Sequence, residues 1–303
     1  AFAGRCISSL LMAARATRLP FEFIVVDDAS TDGAPDTISR TFPGVTLLRN
    51  DRNLGFGPTV MRGMREARAP LAILANNDLA AKEDFIARLI APFEADAAKT
   101  LFGVSARTVN WTDGAPNHLN MTAHFRRGLV ELDFEDSQEM APTLFLQGGA
   151  CCVRREAFLE MGGFAEIFRP GYWEDYDLSY QAAKRGWRLL YEPAALAFHL
   201  GKGSLMKVLG REGIHTVSAR NYFYFTWLNL TDSRMMLEHF LYLPLHIASE
   251  LYSPGKPLRL LRGFLKALSG FFRVLGLRRL RKGTGTVPDR ALLKAEIQFQ
   301  IKN

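Results

Sequence analysis

The chain alternates short, wholly apolar runs with stretches in which apolar residues recur every three or four positions. "FEFIVVDD" (residues 21–28) is a run rich in β-branched residues that stops at Asp27-Asp28, and "VTLLRN" (45–50) is a second. "GPTVMRGMREAR" (57–68) places Val60, Met64 and Ala67 on one helical face. "PLAILANND" (70–78) is a third run, again ending in polar and acidic residues. "KEDFIARLIAPFEAD" (82–96) puts Phe85, Leu89 and Phe93 on one face. Runs of this length predict strands, and the three-to-four spacing predicts helices. Strand, helix and strand in this order predict an α/β fold, with a mainly parallel sheet flanked by helices. Ligands of such sheets bind beyond the carboxyl ends of the strands. Asp27/Asp28 and Asn76-Asn77-Asp78 are therefore expected on one rim.

Composition narrows the class. With 303 residues, 48% of them hydrophobic and 23% charged, the chain is long enough for one large globular domain or a domain with an appendage. Cys6, Cys151 and Cys152 form no C-x-x-C pair and no metal spacing, so the adjacent pair reads as strand packing in a reducing compartment. No run of about 18 uncharged apolar residues predicts a spanning helix. The chain opens with Ala1 and no signal peptide.

Charge divides the chain. Residues 206–303 hold 16 Lys+Arg against 6 Asp+Glu, whereas residues 1–205 hold 22 against 25. The expected organisation is a body over 1–205 and a helical, basic region over 206–303. Within the latter, "RLLRGFLKALSGFFRVLGLRRLRK" (259–282) places Leu261, Phe264, Leu268, Phe271 and Leu275 on one face and Arg262, Lys266 and Arg273 on another. That pattern predicts a basic amphipathic helix, which either binds an anionic membrane surface or packs on the body. The region carries no nucleic-acid-binding motif, so no nucleic acid partner is expected.

The densest chemistry is "YWEDYDLSY" (172–180), which sets Glu174, Asp175 and Asp177 among four aromatic rings. Carboxylates this close repel one another, and burying them is costly without a compensating cation. Each acidic cluster alone also has a plainer reading. An Asp-Asp after a strand is often a turn and helix N-cap, through Ser30 or Asp32. Acids at a helix start are favoured by the helix dipole. Together, three clusters of short oxygen ligands suit a hard divalent cation, Mg²⁺ or Mn²⁺, which would in turn hold a diphosphate.

Five segments in order carry a resemblance: "FEFIVVDDASTDG", "NDRNLGFGPTVMRGMREA", "LAILANND", "LQGGACCVRREAFLEMGGF" and "WEDYDLSYQAAKRGWRLLYEPAALAFH". Over about residues 20–204 the chain resembles family 2 glycosyltransferases of the GT-A fold, especially rhamnosyltransferase-like members. The resemblance implies an inverting transferase moving a sugar, rhamnose first, from a nucleotide diphosphate donor to a hydroxyl of a glycan or lipid-linked acceptor. The implied setting is cell-surface polysaccharide synthesis at the cytoplasmic face of the membrane. Asp175 becomes the general base. Asp27, Asp28, Asn76 and Asn77 become donor-binding, and Asp78 and His199 metal ligands. Trp173, Glu174, Asp177 and Gly149 become acceptor-binding. Lys202 and Ser204 would hold the leaving diphosphate, and Arg154 would be a phosphate contact or an ordinary surface charge. Gly148 and Gly149 allow close backbone approach. The strand that opens family members, ahead of the helix "CISSLLMAAR", has no counterpart here. That leaves a non-catalytic sugar-nucleotide or glycan-binding relative as the alternative. A nucleotidyltransferase would instead show a Gly-rich basic loop after its first strand.

Overall fold

The computed structural model describes residues 2–200, 204–252 and 258–294. The first half runs α1 (Phe2–Ala16), β1 (Ile24–Asp27), α2 (Ala34–Thr41), β2 (Thr46–Arg49), α3 (Phe56–Glu66), β3 (Leu71–Ala75), β4 (Leu79–Ala81) and α4 (Phe85–Glu94). Then follow β5 (Leu101–Asn110), β6 (Pro116–His118), β7 (Asn120–Arg126), β8 (Leu129–Glu135), β9 (Ala141–Pro142), β10 (Ala150–Arg154), α5 (Arg155–Glu160), α6 (Glu174–Lys184) and β11 (Arg188–His199). Among the described residues from 204 onward the elements are helices: α7 (Ser204–Asn229), α8 (Ser233–Leu251), α9 (Arg259–Leu268), α10 (Phe271–Leu280) and α11 (Asp289–Leu292).

The expected α/β architecture is present, but its pairing is mixed rather than mainly parallel. A seven-stranded sheet runs β3-β10-β5-β11-β4, with β6 on β5 and β9 on β11. Among the described residues only β5 and β11 pair in parallel within it. β1 and β2 form a separate parallel pair, and β7 and β8 a hairpin. Asp27/Asp28 and Asn76–Asp78 therefore leave different sheets, and sheet pairing alone does not set them on one rim. β3 meets only β10 and β1 only β2, so among the described residues each keeps one unpaired edge.

Two apolar cores cover the seven-stranded sheet. One gathers Cys6, Leu10, Phe85 and Leu89 of α1 and α4 with Cys152 and Leu190. The other gathers Cys151, Phe158, Leu178 and Leu189 with aromatics of α7. Cys151 and Cys152 point to opposite faces because side chains alternate along a strand. Burial pushes both thiols up, and Cys6 to about 11. The adjacent pair packs within its strand, as expected, and Cys6 is buried in α1.

The tail departs from one long helix. α9 and α10 break at Ser269-Gly270, where a Cβ on Gly270 would meet the Tyr224 hydroxyl at 2.2 Å. Part of the apolar stripe packs inward, Phe264 against Phe223 and Trp227 and Phe271 against Trp227, with Ala267 and Val274 fully buried, while Leu268 stays exposed. The helices from α7 onward thus share one core with α5 and α6.

Candidate active site

A glycine pair joins two acidic segments. Gly148 N–H donates to Asp175 Oδ2 at 3.1 Å, and Asn76 N–H donates to the Gly149 carbonyl at 2.8 Å. Both approaches need glycine. A Cβ on Gly149 would lie 2.4 Å from Asn76 Cγ, and one on Gly148 would lie 3.0 Å from Asp175 Cβ. Ser179 fixes the far side, donating to the Asp175 carbonyl at 2.7 Å and accepting from Leu146 N–H at 3.0 Å. Consecutive backbone positions thus set Asp175 beside Asn76-Asn77-Asp78.

β11 supplies the third element. Its pairing with β4 sets His199 opposite Leu79, and His199 Nε2 lies 3.2 Å from Asp78 Oδ2. α1 supports this end, with the Cys6 thiol on the Asn76 carbonyl at 3.2 Å and Ala81 N–H donating to Ser9 at 3.0 Å. Asn76 is half-buried, Asn77 exposed and Asp78 buried. Burial pushes the Asp78 carboxyl up, partly offset by the His199 charge. Among the described residues no group of three or more His, Cys, Asp or Glu forms a metal cluster. One carboxylate and one imidazole, with diphosphate oxygens and water as further ligands, match how hard divalent cations are held with a phosphate substrate. Asp78 and His199 therefore fit such an ion.

α6 begins in an unusual backbone. Tyr172 and Trp173 both have positive φ, 72° and 75°. Asn221 of α7 stabilises this turn from a fully buried position, its Nδ2 donating to the Phe168, Gly171 and Tyr172 carbonyls at 2.7–2.9 Å. Asp175 is half-buried, with Oδ1 accepting from Tyr176 N–H at 2.9 Å. A cavity of about 10 Å³ behind it is lined by Leu74, Phe158, Phe164 and Leu178. Burial pushes Asp175 up, countered in part by the Gly148 and Tyr176 N–H groups.

Glu174 is buried, and its Oε2 has no hydrogen-bond partner. Burial, and then the neighbouring Asp175, push it from 4.5 up to about 8. The folded protein holds this proton over a range where the unfolded chain releases it. Its contribution to stability is complete below the unfolded value and is lost as pH rises toward about 8. Glu174→Gln keeps the neutral shape and is expected to flatten the fall in melting temperature between about pH 5 and 8. An unchanged slope in thermal melts would remove Glu174 as its source.

Several sequence-derived assignments change here. Trp173 is not free to stack on a sugar: its indole is buried against Tyr176, Tyr222 and Phe225 and donates to Ser218 Oγ at 3.2 Å. The exposed ring is Tyr172. Asp177 is fully buried, and its oxygens accept from Arg281, Asn229 and Gln181, which leaves no face for an acceptor. Arg154 donates to Asp96 and the Leu101 carbonyl, at the end of β10 remote from Gly149. Asp28 anchors the loop before α3, accepting from Leu54 N–H, Gly55 N–H and Asn50 Nδ2 at 2.8–2.9 Å. Asp27 closes the turn at Ser30 and faces Arg49. Both acids thus hold their own turn and the loop before α3. Lys202 and the Ser204 side chain lie outside the described residues. Asn221 and Arg281 were missed, although an Asn inside the aromatic run "NYFYFTW" is the kind of buried polar residue that marks a specific partner.

The chain is similar to known proteins. The model of "Glycosyl transferase family 2" matches residues 1–162. The N-acetylglucosaminyl-diphospho-decaprenol L-rhamnosyltransferase of Mycobacterium tuberculosis is 28% identical over 225 residues, 64% of this chain and 70% of the relative. Among solved structures, S. aureus TarS 1–349 in complex with UDP aligns with a TM-score of 0.53 at 17% identity, covering 91% of this chain and 80% of that one. GalNAc-T7 with UDP, GalNAc and Mn²⁺ aligns at 0.54 and 18% identity, covering 78% of this chain. The chain spans only 45% of GalNAc-T7. At these identities the structures show a common fold, the GT-A-like arrangement expected from the sequence.

Proposed function

The chain belongs to glycosyl transferase family 2, and we propose that it transfers rhamnose, with inversion, from a nucleotide diphosphate donor to a lipid-linked saccharide in cell-surface polysaccharide synthesis. The observation that carries this reading is the glycine pair, which sets one carboxylate, Asp175, beside a second site that can hold a divalent ion and diphosphate, Asp78 with His199. The name of the mycobacterial relative supports the rhamnosyl group and the class of acceptor. The Mn²⁺ and UDP in the GalNAc-T7 structure support a metal-assisted donor site.

Asp175 accepts the proton of the acceptor hydroxyl as that oxygen attacks the anomeric carbon from the face opposite the diphosphate. The Gly148 and Tyr176 N–H groups fix the orientation of the carboxylate. The described site offers one such base and no partnered nucleophile, which favours direct displacement over a covalent intermediate. Asp78 and His199 would hold Mg²⁺ or Mn²⁺, which when bound neutralises charge on the departing diphosphate. Asn76 and Asn77 line the donor side, and Asn77, being exposed, is free to meet it.

The test pairs a donor panel with one variant. Incubation with Mn²⁺ and dTDP-rhamnose, UDP-galactose, UDP-glucose or UDP-N-acetylhexosamines, read as donor hydrolysis and transfer, identifies the sugar. Asp78→Ala is expected to abolish metal-dependent donor binding in calorimetry with little loss of melting temperature, because the residue lies in the link after β3. Donor binding unchanged in that variant, or insensitive to chelator, overturns the metal assignment. Donor binding without any transfer favours the glycan- or nucleotide-binding alternative.

A further inference from the structure

α8 buries one face and leaves another uncovered. Inward, His239 hydrogen-bonds the Gly128 carbonyl at 2.7 Å and Leu243 is buried in the shared core. Outward, Leu237, Phe240, Leu241 and Leu245 are 61, 49, 63 and 63% exposed. They fall at i, i+3, i+4 and i+8, one continuous stripe. Large apolar side chains scattered singly need no explanation, whereas a contiguous stripe marks an interaction surface.

The charge around the stripe indicates what covers it. Just past the C-terminal end of the stripe His246 donates to the Arg127 carbonyl at 2.8 Å, which brings the exposed Arg126-Arg127 turn against the helix, Arg126 being paired with Glu131. One turn further along, Glu250 accepts from the Leu260 and Leu261 N–H groups, joining α8 to α9. From residue 251 to 288 the sequence holds nine Lys and Arg and no Asp or Glu. On α9 and α10, exposed Lys266, Arg273 and Arg279 alternate with Leu265, Phe272 and Leu280, which are 57, 84 and 80% exposed. Among the described residues these three cations have no ion-pair partner, and exposed apolar groups interleaved with such cations match the boundary of an anionic bilayer, where apolar groups enter the acyl layer and cations meet headgroups. No described helix is long and apolar enough to cross a membrane, so this surface would lie on the bilayer.

We propose that the outer stripe of α8, together with the exposed faces of α9 and α10, is a docking surface for an anionic lipid membrane. Phe264 and Phe271 of the stripe read over 259–282 are spent on the core, whereas Leu268 is 46% exposed; the proposed lipid-facing groups are centred on α8. The inference stands on surface geometry and charge, and its test reads binding without turnover.

The experiment is flotation of the protein with vesicles of phosphatidylcholine alone and of phosphatidylcholine with phosphatidylglycerol. Wild type is expected to float with the anionic vesicles and to be released by high salt. The double variant Leu241→Ser/Leu245→Ser is expected to bind them at least about tenfold more weakly, with its melting temperature unchanged because both side chains face solvent. A charge variant, Arg273→Ser/Arg279→Ser, should lose the preference for anionic over neutral vesicles. No flotation of wild type, or equal flotation of wild type and the leucine variant, overturns the proposal. So does a wild-type dimer in solution that the leucine variant dissociates, which would assign the stripe to a second copy of the chain.

Discussion

Asp175→Asn is expected to lower transfer by about 10²-fold or more, the range of general base catalysis, with donor affinity near wild type. The amide keeps the shape of the carboxylate and can still accept from Gly148 or Tyr176 N–H, but it cannot take a proton. The half-buried carboxyl, raised by its apolar surroundings, suits a base working near neutral pH better than an exposed aspartate would. Rates at saturating donor with a soluble acceptor, beside calorimetric donor binding, separate the two effects. Retained turnover would move the role to Glu174. Asp177 is no substitute, because its oxygens are committed to Arg281, Asn229 and Gln181. A parallel loss of donor affinity would mean that the substitution disturbs the glycine pair.

Much of the scaffold was legible because it is locally encoded. β1, β2, α3, β3 and α4 fall within a few residues of the ranges set by apolar runs and helical spacing. The glycines and Asp175 were readable together as a resemblance, and the Gly148 N–H bond to the Asp175 carboxylate joins them, while Gly149 holds Asn76 through its carbonyl. Direction was not legible. A string of acids and rings does not say which side chains turn inward, and here the left-handed turn at Tyr172-Trp173, held by Asn221 from about 50 residues away, sends Trp173 into the core. The mixed sheet was hidden for a similar reason. Strand runs predict strands but not partners, and β5 pairs with β11 across α5 and α6. In the tail the apolar spacing includes Phe264 and Phe271, which reach the core, and Leu268, which does not, because spacing does not say which apolar residues a protein core will cover. The break falls at Gly270, whose missing side chain leaves room for the Tyr224 ring.

Arg281→Met is expected to destabilise the fold by about 3–5 kcal/mol, the cost of leaving one partner of a buried ion pair alone. Arg281 makes a bidentate contact with Asp177, at 2.7 and 2.9 Å, and Asp177 is fully buried. A second buried pair, Lys184 with Asp289, ties the same helix to α11. Asn229 and Gln181 would remain on the carboxylate in the variant, but neither carries a charge to offset it. Asp177→Asn/Arg281→Met should recover much of the loss, since no buried charge is left and the amide can still accept from Asn229 or Gln181. Denaturant midpoints for the single and double variants measure this directly. Asp177 lies two residues beyond Asp175 in the first turn of α6, so a loosened pair should also reduce turnover at saturating substrate more than it weakens donor binding. Equal destabilisation in the single and double variants would assign the cost to lost packing of the arginine stem, and an unchanged midpoint in Arg281→Met would show that the tail does not hold the helix bearing the base.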